Sequence, residues 1–140
     1  SVGESINGHL SAVHSYTYDA LQRITQIVQS GPLTQPKSVS LTYNALNQST
    51  GIRRYSDATG NQLVAESTFT YDLEDRIAEM THRGPASQLI DSIIFSYDAA
   101  DRLSSKSDSS GTTSYAYDAR DQLTSVIGPS ERPNIAAASS

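Results

Sequence analysis

Five times in 140 residues the chain repeats one phrase: an aromatic residue or Leu, a small residue, Tyr, then Asp or Asn. No other feature restricts the fold as much. The copies are Tyr16-Thr17-Tyr18-Asp19, Leu41-Thr42-Tyr43-Asn44, Phe69-Thr70-Tyr71-Asp72, Phe95-Ser96-Tyr97-Asp98 and Tyr115-Ala116-Tyr117-Asp118. Successive tyrosines of the phrase stand 25, 28, 26 and 20 residues apart, and nine of the ten aromatic residues belong to it, Tyr55 being the exception. Aromatics held so tightly to one register mark an equivalent structural position in each copy. The alternation before each Tyr has period two, which is the period of a β-strand, and Tyr, Phe and Thr suit a pleated surface.

The residues after each phrase predict the turn. Three residues stand between the Asp or Asn and an Arg or Gln, which fits a three-residue hairpin loop: a type I turn closed by one residue in the left-handed region. That last position holds Gln22, Asn47, Asp75, Asp101 and Asp121. Asn and Asp tolerate positive φ better than other residues with a side chain, and Gln22 fits least well. In this register Asp19 faces Arg23, Asp72 faces Arg76 and Asp98 faces Arg102. The second copy changes both partners, to Asn44 and Gln48, and the fifth has Asp118 with Gln122. Each pair is expected to tie its hairpin across the strands, with the carboxylate or amide also capping the turn. A row of five is a structural device; a catalytic carboxylate would sit in one local constellation.

One position further on, Tyr18 faces Ile24, Tyr71 faces Ile77, Tyr97 faces Leu103 and Tyr117 faces Leu123; Ser49, opposite Tyr43, breaks the set. These pairs are expected to form a packed face. A second apolar position comes three residues later (Ile27, Ile52, Met80, Val126, with Lys106 the exception). An offset of three falls on the other face of a regular strand, so either a bulge resets the register or both faces carry apolar residues. Ser109-Ser110-Gly111, Asp57 to Asn61, Gly31-Pro32 and Gly84-Pro85 mark the distal turns. The expected fold is all-β: consecutive β-hairpins paired into one antiparallel sheet, open or spiralling.

The ends are out of phase with the repeat. Ile6-Asn7-Gly8-His9 predicts a type I′ hairpin turn, making residues 1–8 the return strand and turn of a truncated preceding repeat. Residues 9–127 hold the five copies, and residues 128–140 read as a tail. No polar capping repeat is evident, and exposed terminal strands tend to pair with more sheet. The expectation is a piece of a longer chain or a protomer of an assembly.

Composition agrees with exposed strands. Leu, Ile, Val and Phe supply only 28 residues, whereas Ser and Thr supply 35. Without cysteine there is no disulfide framework or thiolate metal site. The longest run of large apolar residues, Ile93-Ile94-Phe95, argues against membrane insertion by a helix. Ser1-Val2-Gly3-Glu4-Ser5 has no signal-peptide pattern. A net charge of −5 argues against nucleic acid as a partner. The histidines are His9, His14 and His82; five residues apart, His9 and His14 are expected on opposite faces of a strand, so no metal site is expected. Asp57, Asn61 and Asp108 lie in Gly-containing turns and are read as turn formers, too few for a calcium loop. The tyrosine row is read as sheet packing rather than a sugar-stacking platform. Arg53, Arg54 and Tyr55, outside the register, form a candidate contact surface.

The phrase Tyr-Asp-x-x-x-Arg-[Leu/Ile], preceded by aromatic-x-Tyr and recurring every 20–28 residues, resembles the YD-repeat, or Rhs (rearrangement hot spot), family over about residues 9–127. The family usually has Gly where this chain has Gln22, Asn47, Asp75, Asp101 and Asp121. The resemblance implies a sheet of hairpins that spirals into a hollow shell. In bacterial polymorphic toxins and insecticidal toxin complexes such shells enclose a toxic segment; related repeats occur in adhesive teneurins. The family's self-cleaving core motif has no match here, and residues 128–140 are not expected to form a toxin domain. The implied role is that of a non-enzymatic structural module, without cofactor, of a larger secreted or cell-surface bacterial protein. Its partners would be neighbouring repeats or further protomers, with an enclosed toxin polypeptide. The alternative is an adhesive module that engages glycans or a partner protein, or self-assembles through its edge strands.

Overall fold

A computed structural model describes residues 2–6 and 9–129, with side chains from Ala12 onward. The chain is all-β. Its strands are β1 (Val2–Ile6), β2 (His9–Tyr18), β3 (Ile24–Ser30), β4 (Lys37–Tyr43), β5 (Ser49–Tyr55), β6 (Leu63–Tyr71), β7 (Ile77–Arg83), β8 (Leu89–Tyr97), β9 (Leu103–Asp108), β10 (Gly111–Tyr117) and β11 (Leu123–Ile127). They succeed one another in chain order in one open antiparallel sheet. Contacts divide the chain into two units. One holds the residues through Phe69 together with Thr81–Ile90; the other holds Thr70–Met80 and the residues from Asp91 on. The Asn7-Gly8 turn and residues 130–140 of the expected tail lie outside the described residues.

All five predicted loops form as expected. In the first, the Gln22 amide donates to the Asp19 carbonyl at 3.1 Å and the Asp19 amide to the Arg23 carbonyl at 2.9 Å. The other four repeat both bonds. The closing residues Gln22, Asn47, Asp75, Asp101 and Asp121 have φ between 62° and 64°, the left-handed region that disfavours a Cβ. Gln22→Gly relieves this cost and is expected to stabilise the chain by about 0.5–1 kcal/mol in urea denaturation. The sequence did not suggest a sixth loop of the same kind. Gly84 to Gln88, at a distal turn, repeats both bonds with Ser87 at φ 61°, and Pro85 sits where a type I turn favours it.

A bulge in four of the return strands, β3, β5, β9 and β11, settles the offset of three there. Tyr18 pairs with Ile24, but Thr17 pairs with Gln26, leaving Thr25 as an extra residue. The same step leaves out Thr50, Ser104 and Thr124. Tyr16 then lies opposite Ile27, Leu41 opposite Ile52, Phe95 opposite Lys106 and Tyr115 opposite Val126. Both apolar positions therefore share the tyrosine face, because one inserted residue shifts the alternation by one. A bulge also interrupts β2, where Ala12 pairs with Glu4 and Leu10 with Ser5. It removes the regular alternation on which the opposite-face expectation for His9 and His14 rested; His9's side chain lies outside those described.

The packed face is a correction. Pairing matches the expectation for four of the five tyrosines, Tyr18, Tyr43, Tyr97 and Tyr117, yet the face is not buried. Tyr18 is 52% exposed and Leu123 is 53% exposed. Among the described residues only Ala12, Ser38, Ser67 and Gly84 are buried, none of them large. A sheet this rich in Ser and Thr has too few large apolar side chains to demand a second layer, so its cohesion must come from lateral contacts.

Candidate functional site

The lateral contacts converge on the repeat phrase. Within a hairpin, the Asp side chain organises the turn. Asp19 Oδ1 accepts from the amides of Leu21 (2.9 Å) and Arg23 (3.0 Å), and Oδ2 accepts from Arg23 Nε at 2.7 Å. Asp72 with Arg76 and Asp98 with Arg102 repeat this arrangement. The second copy preserves it without charge: Asn44 Oδ1 accepts from the Leu46 and Gln48 amides, while Asn44 Nδ2 donates to Gln48 Oε1 at 2.6 Å. Asp118 accepts from the Arg120 and Gln122 amides.

Each arginine then reaches forward to the next copy. In the first unit, Arg23 Nη1 donates to Asn47 Oδ1 at 2.8 Å and to the Asn44 carbonyl at 3.2 Å. Its guanidinium carbon lies 4.7 Å from the centroid of the Tyr43 ring, and the Tyr43 hydroxyl donates back to the Ile24 carbonyl at 2.8 Å. In the second unit, Arg76 Nη1 donates to Asp101 Oδ1 at 2.6 Å and stacks on Tyr97 at 4.3 Å. Arg102 Nη1 donates to Asp121 Oδ1 at 2.7 Å and stacks on Tyr117 at 4.8 Å. The Tyr97 and Tyr117 hydroxyls donate to the Ile77 and Leu103 carbonyls at 2.8 Å. One guanidinium thus joins its own carboxylate, the next tyrosine's face and the next loop's left-handed residue. Its planar fork allows all three at once.

This explains why the left-handed positions carry Asn or Asp in place of Gly. Asn47, Asp101 and Asp121 give up conformational ease but supply the acceptor for the preceding arginine. The link between copies was not read from the sequence. A signal was present: Arg23, Arg76 and Arg102 each precede a copy with Asn or Asp at that position.

Electrostatics reflect the same geometry. The Arg76 side-chain hydrogen bond holds the Asp72 carboxyl below the usual carboxylate range. Asp19 and Asp98 are lowered first by the backbone amides of Arg23 and Arg102, and then by the guanidinium groups. A carboxyl depressed in the folded state adds stability above its unfolded value, and that stability is lost as pH falls through the folded value. Melting temperature should therefore hold steady from neutral pH to about 5 and fall below about 4. Thermal melts should show a shallower acid limb for Asp72→Asn combined with Asp98→Asn.

The other predicted residues lie outside the arginine–tyrosine ladder. Arg53 and Tyr55 share one face of β5 and Arg54 takes the other, as strand alternation requires. Arg53 Nε donates to Glu66 Oε1 at 2.6 Å, and that bond and charge raise the Arg53 guanidinium above its ordinary value. Asp57 accepts from the Gly60 and Asn61 amides, and Asp108 from the Ser110 amide, as turn formers do. His82 Nδ1 lies 2.9 Å from the buried Ser67 hydroxyl. Among the described residues no group of His, Asp and Glu is placed to hold a metal.

Residues 97–132 match the family model described as RHS Repeat. A search of curated proteins gave no match. Among solved structures, the chain is similar to a chain of the Photorhabdus luminescens Tc holotoxin pore carrying a variant TccC3. That similarity has 19% identity and a TM-score of 0.69, and covers 84% of this chain and 6% of that one. TcdB2–TccC3 and its complex with Cdc42 match at 17% identity with TM-scores of 0.44, covering 82% of this chain and 7% of theirs. The chain spans less than a tenth of the structures it matches. Five copies of the phrase, hairpins paired in chain order and the family model matched over residues 97–132 make the chain similar to Rhs, or YD, repeats.

Proposed function

We propose that the chain is a non-enzymatic structural segment: a stretch of Rhs-repeat wall in a larger secreted or surface protein of the toxin-complex type. The ladder of Arg23, Arg76 and Arg102, each engaging the Tyr and the left-handed residue of the next copy, carries this reading. It spends the repeat's charged and aromatic side chains on joining hairpin to hairpin. The fold shared with a Tc holotoxin chain supports the toxin-complex setting. In a longer parent the neighbouring partners are further repeats, and the enclosed cargo is a toxin polypeptide.

Repeat proteins coupled through neighbours gain stability with each added unit. Appending one or two further copies of residues 95–127 should raise the melting temperature stepwise, monitored by circular dichroism. An unchanged melting temperature would show that successive hairpins are uncoupled and would remove the basis for a wall. Intact-mass spectrometry over several days should show an uncut chain; a self-cleaved product would make the segment enzymatic.

A further inference from the structure

The hydroxyl-bearing face of β4, β5 and β6 holds a feature that the ladder does not use. Eight residues after the repeat tyrosine the other copies have Gln26, Glu79, Ser105 and Ser125; the second has Gly51. Gly51 lies between Thr42 of β4 and Thr68 of β6. The missing side chain leaves a notch of about 70 Å³ in the sheet face. Ser40, Thr42, Thr50 and Thr68 line it, the Thr50 hydroxyl donating to that of Thr42 at 3.1 Å. One wall is the ion pair of Arg53 and Glu66, whose side chains are 53% and 14% exposed. Tyr55, two residues beyond Arg53, lies on the same face. A Cβ on Gly51 would stand 2.8 Å from Thr42 Oγ1, so any side chain there fills the notch or displaces that hydroxyl.

Size and charge select the ligand. At about 30 Å³ of liquid volume per water, the notch holds two or three waters' worth of atoms, the edge of a molecule and not a whole cofactor. Its charges cancel: the carboxylate of Glu66 disfavours an anion, and the guanidinium of Arg53 disfavours a cation. There remains a set of neutral hydroxyls beside one strong donor and one strong acceptor. Neighbouring hydroxyls on a ring, each both donor and acceptor, match that set. We infer that the Gly51 notch, walled by Arg53 and Glu66, is a shallow subsite for the vicinal hydroxyls of a neutral sugar, taken edge-on from a glycan.

The test uses the full 140-residue chain, isotope-labelled, titrated with the methyl glycosides of glucose, mannose, galactose and N-acetylglucosamine and, separately, with inorganic phosphate. At least one glycoside is expected to shift the amides of Thr42, Gly51, Arg53 and Thr68 saturably, in the millimolar range of a small, exposed subsite. Gly51→Ser and Arg53→Gln should each weaken that binding about tenfold or more. Arg53→Gln lies on the surface and keeps the test valid should Gly51→Ser fail to fold. Three results would overturn the inference: no saturable shift with any glycoside on a folded sample, shifts centred elsewhere, or binding unaffected by Arg53→Gln. Response to phosphate alone would make this an anion site and would overturn it equally. None of these results bears on the repeat ladder.

Discussion

Tyr97→Ala is expected to cost about 2–3 kcal/mol of folding stability, and Tyr97→Phe about 1 kcal/mol. The ring lies under Arg76 at 4.3 Å and opposite Leu103, and its hydroxyl donates to the Ile77 carbonyl. A fully buried aromatic would cost about 3–5 kcal/mol on truncation; Tyr97 is half-buried, which lowers the figure. Tyr18 provides the comparison within the same chain. It pairs with Ile24 as Tyr97 pairs with Leu103, but it is 52% exposed and no guanidinium of the described residues lies over it. Tyr18→Ala should therefore cost about 1 kcal/mol or less. Urea denaturation with an unchanged m-value separates the two cases. Equal losses at Tyr18 and Tyr97 would mean that the phrase acts only within its own hairpin.

The second large effect lies at Arg76. An isolated surface ion pair adds little to stability, but this guanidinium joins Asp72, Asp101 and the face of Tyr97 in one arrangement. Arg76→Ala should lower the melting temperature by about 5 °C or more, against about 2 °C or less for the exposed Arg54→Ala. Arg76→Lys should recover only part of the loss, because an ammonium supplies charge without the planar fork and stacking surface. Combining Arg76→Ala with Tyr97→Ala should cost less than the sum of the two, since each removes the other's partner. Strict additivity would show that the stack contributes nothing.

The expectations that agreed with the structure were local ones. The loop from Asp19 to Arg23 closes within five residues, and its left-handed position comes from counting along the phrase. The pairing of Tyr18 with Ile24 is then set by the loop. The expectation of a packed aromatic face failed for a reason visible in the composition. With so few large aliphatic residues, the tyrosines had no second layer to meet. The grouping of Arg53, Arg54 and Tyr55 was adjacency in sequence, and strand alternation sends Arg54 to the other face.

By itself the sequence determined which residues turn and which residues stand opposite, because a hairpin is set by the turn chemistry of a few neighbours. Only the tertiary structure decided the bulges that bring both apolar positions to the tyrosine face. It alone also decided that each arginine serves the next copy as well as its own. Those contacts join residues 16 to 25 positions apart, so their geometry exists only once two hairpins lie side by side and backbone hydrogen bonds have fixed their register.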